Sequence, residues 1–145
     1  MTVRSELFVA DHTGALARVE ARDAGREPRP GTEALELLGV GAIDLELLGE
    51  IAARGVQFGT GPLELEEVDL DHESLLELPS FAREVLVELG RAEDPELAGE
   101  VAAEWATDQD LGLTPAAALA LVTGIVGLLT GAVESGYSVY LWTAA

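Results

Sequence analysis

The side chains able to do chemistry are nearly all carboxylates: the 145-residue chain holds 27 Asp and Glu, two His and no Cys. Without cysteine there is no thiol nucleophile, disulfide or thiolate metal ligand. The densest group is Asp69-Leu70-Asp71-His72-Glu73, in which Asp69, Asp71, His72 and Glu73 offer oxygen and nitrogen donors to a cation. On a strand, Asp69 and Asp71 share one face and His72 points away, so only a turn would gather all four. Asp11-His12 is a smaller pairing of the same kind. Asp108-Gln109-Asp110-Leu111-Gly112 begins like a calcium loop, but its glycine falls one place early and no glutamate closes the twelfth position. There is no glycine-rich phosphate loop, no Gly-x-Ser-x-Gly and no His-Glu-x-x-His. With so many acids, close carboxylate pairs arise from number alone. A metal-binding domain or acid-rich enzyme using Asp69–Glu73 is therefore the alternative reading, and no cofactor is expected.

The charge itself is more informative than any pair of acids. The formal net charge is -19, and every basic residue is arginine. Residues 1–30 balance Arg4, Arg18, Arg22, Arg26 and Arg29 against Glu6, Asp11, Glu20, Asp23 and Glu27. Residues 31–145 hold Arg54, Arg83 and Arg91 against 22 acids, and so carry the whole imbalance. Such a field repels nucleic acid and anionic membrane and attracts cationic partners. It also keeps a small protein soluble. Lysine and asparagine are absent, which fits GC-rich coding or a salt-rich habitat. The lack of cysteine suits a reducing compartment. Met1 to Ala10 carries Arg4 and Glu6 and reads as a strand, not a secretory leader; a cytoplasmic protein is expected.

Positioning those charges requires elements, and the length suits one domain over 1–145. Val3 to Ala10 predicts a strand, closed by the turn-forming Asp11-His12-Thr13-Gly14. Ala15 to Asp23 predicts a helix with Leu16 and Val19 inward and Arg18, Arg22 and Arg26 outward. Gly25 to Gly31 is a proline-bearing connector. Ala34 to Leu38 reads as a helical turn or two, and Ala42 to Arg54 as a helix burying Ile43, Leu47, Leu48 and Ile51, with Gly55 as its cap. Leu63 to Leu70 alternates imperfectly and reads as an edge strand. Ser80 opens a helix with Phe81, Val85, Leu86 and Leu89 inward, up to Gly90. Asp94-Pro95 and Thr114-Pro115 are each a capping residue followed by proline, and each predicts a helix start. The first of these helices buries Leu97, Val101 and Trp105, and Glu96, Glu100 and Glu104 run beside them as an acidic stripe. Glu46–Glu50, Glu73–Glu77 and Glu84–Glu88 repeat the four-residue spacing. Tyr137 to Trp142 predicts a closing strand that pairs with the first.

Leu111 to Val133 contains no charge and is long enough to span a bilayer. No arginine or lysine flanks it, and three threonines and four glycines lower its hydropathy, so a core helix ending at Ser135 and Gly136 is expected. One side carries Leu119, Leu121, Val122, Ile125, Val126, Leu128, Leu129 and Val133. On the other, Ala117, Ala120, Gly124, Gly127 and Gly131 step by three and four residues. Interior glycine weakens a helix by about 0.8–1.0 kcal/mol against alanine. A close-packed partner helix accounts for that weakness, so Ala120, Gly124, Gly127 and Gly131 are the expected interface of a homodimer.

Ser5-Glu6-Leu7-Phe8-Val9-Ala10, Leu78-Pro79, Ala103-Glu104-Trp105-Ala106 and Ser138-Val139-Tyr140-Leu141-Trp142 resemble, in order, a family of small bacterial proteins of uncharacterised activity. Members open on a Ser-Glu strand and finish on a Leu-Tyr-Leu-Trp strand, so Val139 departs from the pattern, as does the glycine-rich last helix. The layout is loosely similar to single-domain immunity proteins that neutralise bacterial toxins. The resemblance implies a fold and a bacterial origin, and no activity.

The expectation is an α+β fold with about five helices on a small sheet built from the two terminal strands. The leading function is a non-enzymatic acidic interaction protein, immunity- or antitoxin-like, that binds a basic protein through Glu96, Glu100 and Glu104 and does not bind nucleic acid or membrane. A small-ligand-binding domain with a pocket lined by Trp105, Phe81 and Tyr140 is a further alternative.

Overall fold

Alternation in the first strand organises the molecule. In the computed structural model, which describes residues 4–27 and 33–144, β1 (Arg4–Ala10) turns Leu7 and Val9 to one side and Glu6 and Phe8 to the other. β5 (Ser138–Thr143) runs antiparallel beside it, with Leu7 opposite Leu141 and Phe8 opposite Tyr140. The two ends of the chain thus pair directly, as their aromatic and β-branched composition predicts. The sheet is larger than those two strands. β2 (Ala34–Leu38) adds to the free edge of β1; β4 (Leu75–Glu77) and the two-residue β3 (Glu66–Glu67) extend from β5. The order is β2-β1-β5-β4-β3, all antiparallel.

Four helices cover one face: α2 (Ala42–Val56), α3 (Ser80–Arg91), α4 (Leu97–Trp105) and α5 (Pro115–Ser135). Their buried side chains join Leu7, Leu37, Val139 and Leu141 in the main core. At its centre Trp105 is wholly buried, and its indole N–H donates to the Asp44 carbonyl at 2.9 Å. The acceptor is what a buried indole requires. α5 starts as Thr114-Pro115 predicts: the Thr114 hydroxyl accepts from the Ala117 N–H at 3.1 Å and proline takes the first turn. It ends at Gly136, whose φ of 77° is the left-handed cap that glycine adopts without strain.

Among the described residues the opposite face carries a single helix, α1 (His12–Asp23), capped by Asp11, whose side chain accepts from the Gly14 N–H. Here the outward placement of Arg18 and Arg22 is corrected. Both turn inward onto Glu6, which sits on β1 and is only 6% exposed. Its two carboxylate oxygens accept from Arg18 Nε at 2.6 Å and Arg22 Nη2 at 2.5 Å. The guanidinium groups lie over the rings of Phe8 and Trp142, and Trp142 Nε1 donates to Asp23 at 2.9 Å. Only Ala15 and Val19 of α1 are fully buried. The helix is held by ion pairs and aromatic faces because a buried carboxylate demands cations above it.

Four other local expectations change. Ala34–Leu38 is a strand, since alternation sends Leu35 and Leu37 into the core beneath α5. Gly55 lies inside α2 and does not cap it; Gln57 does, at φ 53°. Ile43, at the start of α2, is 80% exposed, and Leu45 takes its place inward. Of Leu63–Leu70 only Glu66–Glu67 is strand, and β4 was not anticipated. Part of the Gly25–Gly31 connector, with Arg29, lies outside the described residues.

Glu6→Gln should lower the free energy of unfolding by about 3 kcal/mol in urea titration, because it strips the charge from a buried pair and leaves two guanidinium groups without their counter-ion. Trp105→Ala should cost about 3–5 kcal/mol as a large core truncation.

Candidate functional site

The acidic stripe expected on α4 is present. Glu96, Glu100 and Glu104 are all exposed, and Val101 and Trp105 on the adjoining face are buried. Glu96 is the helix N-cap; the predicted Asp94-Pro95 start sits two residues upstream, where the Asp94 side chain accepts from the Glu96 N–H. α4 packs beside α2, and a groove of about 240 Å³ runs between them. Its floor is Ile51, Leu97 and Val101, and its rim is Glu100, Glu104 and Arg54. Arg54 Nη2 donates to Glu104 Oε2 at 2.8 Å across the groove. Gly55 sets the spacing: a Cβ there would stand 3.3 Å from Val101 Cγ2 and 3.4 Å from Leu97 Cδ1, so the helices close tightly at this end. Reading the sequence by itself missed Arg54 and Gly55 as parts of this site. The available signal was Arg54 standing as the single cation between residues 30 and 82, one helical turn beyond Ile51.

Charges elsewhere on the helix layer follow the same rule. Arg91 lies 3.5 Å from Glu88, and Arg83 donates to the Tyr137 carbonyl. Each of the three arginines beyond residue 31 therefore already has an acceptor, against 22 acids in that part of the chain.

The Asp69–Glu73 region forms the turn between β3 and β4. Asp69 serves this turn, its side chain accepting from the Asp71 N–H and its carbonyl from the His72 N–H. His72 turns towards Glu20 of α1, at 3.5 Å. Among the described residues no three His, Asp or Glu side chains converge in a way that could hold a metal ion. Trp105, Phe81 and Tyr140 are not brought together either. Trp105 belongs to the helix-side core and Tyr140 to the α1 side of the sheet, while Phe81 packs against Phe58 with ring centroids 6.0 Å apart. Burial, with the Glu77 carboxylate adding to it, raises the Tyr140 phenol above its ordinary value of 10.0, so it stays protonated at neutral pH.

α5 divides its small residues between two neighbours. Gly124 faces Leu35 of β2, where a Cβ would make ordinary contact at 3.4 Å, and a Cβ on Gly131 would stand 3.1 Å from the Glu33 carboxylate. Gly127 and Ala120 look outward, and a Cβ on Gly127 would meet nothing within 4 Å. The buried line is Ala118, Val122, Ile125, Leu129 and Ala132, whereas Leu119 and Val133 are exposed. α5 is long and apolar enough to cross a membrane, with 28% of its most apolar window buried. That buried part belongs to the same core as the sheet.

A larger cleft of about 360 Å³ opens where α5 ends near the start of α1, with Asp11, Glu33, Ser135 and Tyr137 on its walls. Asp11 is already engaged there as the α1 cap.

No family model matches the chain, and neither the curated proteins nor the solved structures contain a significant match.

Proposed function

We propose that this is a non-enzymatic acidic interaction protein, of the immunity or antitoxin kind, that works in a cytoplasm and holds a basic protein partner against its helix layer. The observation that carries this reading is the segregation of charge. Arg18 and Arg22 turn to the α1 side of the sheet and are committed to Glu6, and Arg4 is committed to Glu36. The helix layer presents Glu96, Glu100 and Glu104 to solvent, with only Arg54 countering them across the groove. Complementary fields of this kind act over about 8 Å at physiological ionic strength and raise association rates more than they deepen the bound state.

A second reading concerns self-association and rests on α5. Its outward positions Ala116, Leu119, Ala120, Thr123 and Gly127 carry no charge, and Gly127 is open to close approach. Two copies each carrying -19 repel, so a homodimer has to meet on surface of this kind. Gly124 and Gly131 are already committed within the chain, which narrows the expected interface to the line through Ala120 and Gly127.

The two readings predict opposite responses to salt. Affinity for a basic partner, titrated calorimetrically, should fall about tenfold between about 0.05 M and about 0.5 M salt as screening removes the attraction. An affinity constant over that range would overturn electrostatic docking. Dimerisation should strengthen over the same range, because screening removes the repulsion between copies. In sedimentation, Gly127→Leu should return the protein to monomer without lowering its melting temperature, since the position is open in the monomer. A wild type monomeric at high concentration, or a dimer indifferent to Gly127→Leu, would rule out this contact.

A further inference from the structure

We propose that the groove between α2 and α4 receives one arginine or lysine side chain of the basic partner, and that Arg54 is an internal competitor for the same place. This rests on the reading of the protein as a binder of basic partners and assigns the site and the residue that regulates it.

The groove's size selects the occupant. At about 240 Å³ it is smaller than the roughly 300–1,000 Å³ of small-molecule pockets. An arginine or lysine side chain has a matching two-part chemistry: an aliphatic stem that lies on apolar surface and a charged head that stays at the rim. Ile51, Leu97 and Val101 form such an apolar floor, and Glu100 and Glu104 stand one turn apart on α4 at its edge. The floor lets the stem fix where the head sits.

Arg54 already makes the head-group contact of this mode. Its guanidinium reaches across from α2 to Glu104 at 2.8 Å. The pair is weakly held: the two side chains are 63% and 52% exposed, and ion pairs of such exposure stabilise by only about 0.2–1 kcal/mol. A partner cation therefore displaces Arg54 at little cost, and Arg54 weakens binding by the same small amount. Its removal leaves the acids unopposed.

The test uses a helical peptide with four arginines on one face and no acids, titrated calorimetrically into the full chain and three variants. Glu100→Gln with Glu104→Gln should weaken binding about tenfold. Arg54→Met, which keeps an apolar stem but removes the competing charge, should tighten it about two- to five-fold, the range expected for losing an exposed pair. Glu134→Gln removes an exposed acid from the end of α5, outside the groove, and should leave affinity unchanged. All three changes are at exposed positions, and unchanged melting temperatures verify folding. If Arg54→Met leaves affinity unchanged or lowers it while the double variant weakens binding, the competitor role is overturned and the docking reading stands. If the double variant binds as the wild type does, the groove is not the site. If the peptide binds none of the proteins, both this assignment and the reading beneath it fail.

Discussion

The pairing of β1 with β5 is the constraint on which every other element depends. These strands come from opposite ends of the chain, yet they lie side by side within the sheet, and β2 extends the pair from the outer edge of β1 and β4 from that of β5. Their register sets which side chains face which layer. Leu7, Val9, Val139 and Leu141 point to the four-helix layer, and Glu6, Phe8, Tyr140 and Trp142 to α1. A slip of one residue would exchange the two sets and place Glu6 in the apolar core.

The two faces of that sheet are held by different physics. On the helix side, burial of leucine, valine and Trp105 dominates, and polar groups occur mainly where they satisfy one another, as Trp105 does with the Asp44 carbonyl. On the α1 side, a buried carboxylate shared by two arginines stands among aromatic rings. Taking three charges from water is costly, and the arrangement is favourable only because each Glu6 oxygen is matched and both guanidinium groups find ring faces. Opposite Glu6 on β2 stands Glu36, a like charge that Arg4 offsets at 3.0 Å. The arginines on that side are thereby balanced by acids, and the helix layer is left with the net acidic charge. The proposed docking of a basic partner draws its support from this segregation.

α4 and α5 illustrate how one layer can present two contrasting surfaces. α4 is short, buries Val101, Ala102 and Trp105 and lines its outer side with glutamates. α5 is long, buries a narrower line of side chains and, up to Glu134 near its end, shows an uncharged exterior that includes alanine, threonine, glycine and Leu119. The Thr123 and Thr130 hydroxyls donate to the Leu119 and Val126 carbonyls of their own helix.

Much of this was legible from residue order. The start of α5 at Thr114-Pro115, its end at Gly136, the two terminal strands, the inward Trp105 and the acidic side of α4 are local features, set by caps, periodicity and the pairing of like segments. Other features depend on what lies across the fold. Ala34–Leu38 has helix-compatible residues and became a strand because β1 offered an edge; strand preference is decided by neighbours more than by the segment itself. Arg18 and Arg22 looked like a solvated face, and the buried Glu6, twelve and sixteen residues away, drew them in. Gly55 resembled a cap, but its place is set by the approach of α4, more than forty residues later. The acidic side of α4 was visible in its spacing, but the groove was not, since its other wall and Arg54 come from α2. Local sequence determines where helices begin and end and which of their sides are apolar; long-range packing alone determines which charges meet and where a surface becomes concave.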